Sequence, residues 1–373
     1  MMASKPRMRS GPPKMLMTAD TVGGVWSYTV GLCASQPEIR FVVATMGPRP
    51  LQSQRKQISQ LDNVVLEESD YRLEWMADSD ADFAESCNWL VSLIARHGID
   101  LVHVNGYAHA SLGIELPVLV VAHSDVLSWW EAVHRCTAPP DWDRYRRRVT
   151  VGLAAANRIA APTATALQDL ERHYMNLDGK GEVIANGVDT AAFLPLLKRP
   201  VVLGAGRVWD NAKNLAALDA IARELAWPVE LAGDAAHPES GSTTFEAVRI
   251  LGPLCPAEMA RQLGHASIFV APARYEPFGL TILEAAAAGC ALVLGDIPSL
   301  RENWAGAAVF VDPEDKLALR SSINRLICHA EERTYLAAAA QCRAKRFALH
   351  RMGRAYAALY RDMALSSACL GRA

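Results

Sequence analysis

The chain has 373 residues, 51% hydrophobic and 21% charged; at roughly 100–200 residues per domain this predicts two domains, each burying its own core. Such a composition excludes disordered, collagen-like and disulfide-scaffold proteins. Lys and Arg number 38 against 40 Asp and Glu, a net charge of −2 that leaves no overall basic footprint for nucleic acid.

Residues 1–13 carry positive charge and proline with no apolar segment after them, and read as a disordered tail rather than a signal peptide. No apolar run reaches the roughly 20 residues of a membrane span. The strongest, LPVLVVA at 116–122, reads as a buried strand. The 8 cysteines are scattered and none stands in a Cys-x-x-Cys pair. That argues for reduced thiols, a cytoplasmic location and no structural zinc.

From residue 14 onward, short apolar runs alternate with helix-length segments. Strands are predicted at 14–19, 40–45, 101–104, 117–123, 158–162 and 182–185, then at 200–206, 228–233, 267–272 and 291–295. All are rich in Val, Ile and Leu without polar alternation, as parallel strands covered on both faces require. Helices are predicted at 81–97, 146–157, 163–175, 212–225 and 280–288, and an amphipathic one at 351–365. The alternation predicts an α/β protein of doubly wound parallel sheets with ligands at the strands' carboxyl ends. NGVDTAAFLPLLKRP (186–200) carries a turn-forming Asn-Gly pair and two prolines, and marks the linker. Domains are therefore placed at 14–195 and 196–350, with the C-terminal helix, about 351–373, packing back on the first.

The turns after the two leading strands read ADTVGGVW (19–26) and GAGRVWDN (204–211). Neither is Gly-x-Gly-x-x-Gly and neither is a P-loop, which disfavours nicotinamide and P-loop chemistry. Gly23 and Gly24 instead allow a close backbone approach to an anion. Arg207 and Lys213 supply a planar fork and a point charge for a diphosphate. The strongest signal is ARYEPFGLTILEA (273–285), in which a loop bears Glu276 and Gly279 opens a helix bearing Glu284. The amides of Phe278, Gly279, Leu280 and Thr281 would then sit at a helix N-terminus, a ready phosphate site. Each feature also has a reading without ligand. Gly23–Gly24 could be a tight turn, Arg207 and Lys213 solvated cations, and Thr281 with Glu284 a capping box. Capping gives Glu276, beside Pro277, no role.

Taken together, Glu276-x7-Glu284, GAGR with Lys213, ANGVDTAAF (185–193), TVGGV (21–25) and VVAHS with His123 resemble, in order, the retaining glycosyltransferases of the GT-B fold, glycosyltransferase family 4. The resemblance runs from about residue 15 to the C-terminus. It implies two Rossmann-like domains facing across a cleft, an N-terminal acceptor domain and a C-terminal donor domain. Glu284 would bind the ribose hydroxyls and Glu276 a hydroxyl of the transferred sugar. Arg207, Lys213 and the amides around Gly279 would stabilise the leaving diphosphate without a metal. His123 would approach the donor sugar, and Gly23 and Gly24 would close over the diphosphate or the acceptor. The implied reaction is transfer from a nucleotide sugar, a UDP- or GDP-sugar, with retention of configuration and no cofactor, the leaving phosphate helping to deprotonate the acceptor. A nucleotide-sugar-binding protein, an epimerase or a phosphorylase on the same fold is the alternative.

Other features carry less weight. DSDAD (78–82) reads as the first turn of a helix rather than a metal motif. Trp129 and Trp130 could stack on a sugar or pack internally; Trp26 and NGY (105–107) could help choose the acceptor. Glu302 reads as structural. DRYRRRVTVGL (143–153) is the nearest candidate for weak membrane-surface association, or a solvated helix face.

Overall fold

Uniformly apolar runs become strands only where both faces are covered, and the chain meets this demand twice. The computed structural model describes residues 12–76, 78–234 and 245–370; the tail expected at 1–13 falls almost wholly outside the described residues. The first half comprises β1 (Lys14–Asp20), α1 (Gly24–Ala34), β2 (Arg40–Met46), α2 (Gln52–Ile58), β3 (Val64–Glu68), α3 (Ser79–His97), β4 (Leu101–Val104), β5 (Val118–Val121), α4 (Val126–His134), α5 (Asp143–Ala155), β6 (Arg158–Ala161), α6 (Ala164–His173) and β7 (Gly181–Val183). All its strand pairs are parallel, in the order β3-β2-β1-β4-β5-β6-β7. β1 is buried at every residue from Met15 to Ala19.

A second parallel sheet, ordered β10-β9-β8-β11-β12-β13, forms from the rest of the chain. Its elements are β8 (Arg199–Ala205), α7 (Ala216–Ala222), β9 (Val229–Ala232), β10 (Arg249–Gly252), α8 (Pro256–His265), β11 (Ala266–Ala271), α9 (Leu280–Ala287), β12 (Ala291–Gly295), α10 (Pro298–Trp304), β13 (Val309–Val311), α11 (Lys316–Cys328), α12 (Ala330–Ala344) and α13 (Leu349–Leu370). Two parallel sheets covered by helices make the expected GT-B architecture. In each, the strand order reverses beside the leading strand, between β1 and β4 and between β8 and β11. Those reversals open a crevice at the carboxyl ends of the strands.

Three strands went unpredicted. β3, β10 and β13 lie at sheet edges, where VVLEE, RILG and VFV keep partly exposed residues. An edge strand is covered on fewer sides, so its sequence carries less of the apolar signal. The helix expected at 212–225 is shorter, Ala216–Ala222, because the residues before it form the loop that carries Lys213.

α13 returns to the first half. Met352, Tyr356, Leu359, Tyr360 and Met363 recur at helical spacing and join Met15, Met17, Leu32 and Cys33 in one core. The outgoing linker and the returning chain are pinned together: Val188 N–H donates to Phe347 O at 3.1 Å, and Leu349 N–H to Val188 O at 2.9 Å. Both passages between the halves thus run through one point.

Leu359 is 2% exposed within this core. Leu359→Ala is expected to cost about 2–5 kcal/mol, read as a lower urea midpoint. An unchanged midpoint would show that α13 is not part of the first half's cooperative unit.

Candidate active site between the two sheets

The predicted site residues belong to the segments that follow the carboxyl ends of four strands, β1, β5, β8 and β11, and to the start of α9. After β1, Asp20 Oδ1 accepts the Val22 N–H at 2.7 Å and shapes the glycine loop. Gly23 has φ 86°, a conformation that penalises any side chain, and precedes α1 directly. A Cβ placed there would lie 3.9 Å from Nη1 of Arg207, and one on Gly24 would lie 3.3 Å from Cδ1 of Leu280. The glycine loop of the first half therefore faces the cation and the helix start of the second.

Arg207 and Lys213 are both ion-paired, Arg207 with 39% of its side chain still exposed. Arg207 reaches Asp210 Oδ2 through Nη2 at 2.7 Å and Nε at 3.2 Å. Lys213 Nζ donates to Glu276 Oε2 at 2.5 Å, with only 21% and 16% of the two side chains exposed. Burial alone would raise the Asp210 carboxyl; Arg207 and Lys213, with hydrogen bonds from Trp129 and Arg207, outweigh it and hold the pKa below the usual range.

α9 begins at Leu280 behind Gly279, which adopts the left-handed conformation with φ 83°. This corrects the capping-box reading: Thr281 and Glu284 both lie inside the helix, and no side chain caps its start. The first amides of α9 are left without intrahelical acceptors. Phe278 is 3% exposed and its ring packs edge-on against Phe347 at 5.5 Å, so its side chain belongs to the core. The Glu284 carboxyl has no hydrogen-bond or ion-pair partner among the described residues, and burial pushes its pKa up to about 7.

His123 follows β5. Its Nε2 meets Asn105 Oδ1 at 2.8 Å, its ring lies edge-on to Tyr28 at 4.5 Å, and burial pushes its pKa down to about 4. Two residues on, the Asp125 N–H donates to the Tyr275 hydroxyl at 3.2 Å, next to Glu276. Other bonds cross between the halves. Trp129 Nε1 donates to Asp210 Oδ1 at 3.1 Å, and Thr163 Oγ1 to Pro277 O at 3.1 Å. Glu302 accepts from Ala164 N–H at 2.8 Å and from Thr165 N–H at 3.0 Å at the start of α6.

Several weaker expectations are corrected or refined. Trp26 is 4% exposed in the core with Nε1 on Gln57, so it is not an acceptor contact. Trp129 spans the cleft, whereas Trp130 packs against His134 at 4.2 Å. Tyr107, from NGY, is buried with its hydroxyl on Ser124 O. In α5, Arg144 and Arg148 pair with Asp80 and Arg146 with Asp143, which reduces the free charge of the basic patch. No described helix is long and apolar enough to cross a membrane.

Asp20 escaped the sequence reading. Burial pushes its pKa up to about 6, against the Val22 amide and Arg207. Its place at the end of β1, beside the reversal in strand order, was the available signal.

Asp20 and Glu284 share a sign. Each has a folded pKa above its unfolded value, so between about 4.5 and 7 the native chain binds more protons than the unfolded one at Glu284. Stability from this group is therefore greatest at low pH within that window and falls as pH rises through about 7. Glu284→Gln is expected to raise Tm at pH 8 and leave it nearly unchanged at pH 5. Equal shifts at both pH values would rule out a buried, proton-binding carboxyl.

Comparison with known proteins fits this geometry. The family model described as Glycosyltransferase Family 4 matches residues 22–192, and that described as Glycosyl transferases group 1 matches residues 199–329. Alpha-maltose-1-phosphate synthase of Mycolicibacterium smegmatis is 29% identical over 257 residues, 58% of this chain. The match spans 65% of that relative, less than two thirds of its length. Among solved structures, sucrose-phosphate synthase from Thermosynechococcus elongatus superposes with a TM-score of 0.77 at 17% identity, over 95% of this chain and all of that one. Anabaena Alr3699/HepE in complex with UDP-glucose gives 0.75 at 16% identity, over 94% and 99% of the two chains. These two show the GT-B fold. With a family model on each half, in the order the two sheets are built, the chain belongs to the group 1, family 4 glycosyltransferases.

Proposed function

We propose that the protein transfers a sugar from a nucleotide sugar, a UDP- or GDP-sugar, to an acceptor with retention of configuration. The observation that carries this reading is the convergence of the glycine loop on Arg207 and on the first residue of α9. Fixed cations and unpaired helix amides meet there, the arrangement that a departing diphosphate needs. Arg207, Lys213 and the amides of α9 neutralise the leaving group without a metal. Glu284, a carboxylate without a protein partner, accepts the ribose hydroxyls. Glu276, anchored by Lys213, holds a hydroxyl of the transferred sugar, and His123 approaches that sugar from the opposite half.

On this reading retention does not use a glycosidase-type carboxylate pair flanking the bond, and Glu276, paired with Lys213 through one oxygen, is not assigned as a nucleophile. The leaving phosphate instead takes the acceptor proton on the same face. The product named for the Mycolicibacterium relative supports testing sugar phosphates first among acceptors.

The test is thermal denaturation with UDP-, GDP- and ADP-sugars, on wild type and Glu284→Ala. At about 100 Kd a bound donor stabilises by about 2.7 kcal/mol, so one nucleotide series is expected to raise Tm in wild type and not in the variant. EDTA is expected to leave the shift and turnover unchanged. No shift with any donor would overturn the reading.

A further inference from the structure

Behind His123 lies a hydrogen-bonded chain to which the proposed transfer has so far assigned no role. Asn105 Nδ2 donates to Thr18 O at 2.8 Å, and its backbone N–H to Thr18 Oγ1 at 2.9 Å. A peptide carbonyl only accepts, so this bond fixes the amide: Nδ2 faces Thr18, and Oδ1 faces the two histidines. Oδ1 lies 3.1 Å from His103 Nε2 and 2.8 Å from His123 Nε2. An amide oxygen has two lone pairs and no proton, so both ring nitrogens must donate, and both histidines carry their proton on Nε2.

The rest of the chain agrees with that assignment. His103 is fully buried and burial pushes its pKa down to about 3, so it is neutral, and its Nδ1 is then an acceptor. The group facing Nδ1, at 2.8 Å, is the hydroxyl of Tyr360 from α13, which can donate. The protons of Tyr360, His103 and His123 along this chain are thereby placed, with the Tyr28 hydroxyl a second, longer neighbour of His103 Nε2 at 3.5 Å. His123 Nδ1 is left with a lone pair and no hydrogen bond among the described residues.

We propose that Asn105 is a positioning residue that locks His123 as the Nε2–H tautomer, so that the ring meets a ligand hydroxyl as a hydrogen-bond acceptor through Nδ1. The hydroxyl group is the chemistry recognised, and its link to the donor sugar rests on the proposed function. Tyr360 and His103 extend the same constraint to α13, the helix that returns from the second half.

The tautomer is read directly by long-range 1H–15N correlation on the full chain labelled in histidine, with His123→Gln assigning the signal. In wild type at pH 7, His123 is expected to show one protonated nitrogen, Nε2, and an unprotonated Nδ1. Asn105→Ala is expected to move the ring toward the mixed tautomers of a free imidazole. In the same variant, kcat is expected to fall about tenfold, the worth of one such hydrogen bond, with the donor KM little changed. A wild-type ring protonated on Nδ1, or on both nitrogens, overturns the proposal. So does an Asn105→Ala ring that keeps the wild-type pattern. The wild-type spectrum decides the tautomer even if the variant fails to fold. It needs no turnover, so a chain without activity toward any donor would sink the proposed function and not this assignment.

Discussion

One buried carboxylate ties the two sheets to each other and to the chemistry between them. Asp210, 4% exposed, accepts from Arg207 of its own loop and from the indole of Trp129 across the cleft. Because Nε and Nη2 of Arg207 both rest on Asp210, the guanidinium is turned so that Nη1 faces the glycine loop. The approach of the two halves and the aim of the cation are thus one structural fact. A carboxylate removed from water is costly unless it is paired, and here its partners come from both halves.

The cleft sets carboxylates in contrasting states. Glu276 is matched by Lys213 at 2.5 Å, whereas Glu284 and Asp20 are raised by burial and lack a comparable cation. The matched group has a fixed geometry, which suits the role proposed for it of orienting a sugar hydroxyl. The unmatched ones retain capacity for hydroxyl donors from a ligand. Groups held in place before a ligand arrives need not reorganise when it binds, which is the general basis of electrostatic preorganisation.

The crossing between the halves and the histidine chain meet in the C-terminal helix. α13 belongs by packing to the first half yet follows the second in sequence, and its entry is pinned to the linker at Val188. Relative motion of the halves must therefore bend the chain at that crossing. The same helix supplies Tyr360 to the histidine chain behind the site. Bonds through Trp129, Tyr275, Thr163 and Glu302 hold the halves together on the cleft side.

The sequence by itself determined the two parallel sheets, because central strands buried on both faces leave long apolar runs, and helices between them leave a different period. It also located the residues around Gly23, Arg207 and Glu276, since glycines, cations and paired carboxylates at strand ends have few structural uses together. Edge strands β3, β10 and β13 left weaker traces because they are covered on fewer sides. Tertiary structure alone decided the pairings. Lys213 and Glu276 are 63 residues apart, Trp129 and Asp210 81, and His103 and Tyr360 257. No local pattern records which donor meets which acceptor over such separations. The same holds for Asp20 and Asn105, common polar residues whose importance comes from lying where the strand order turns back.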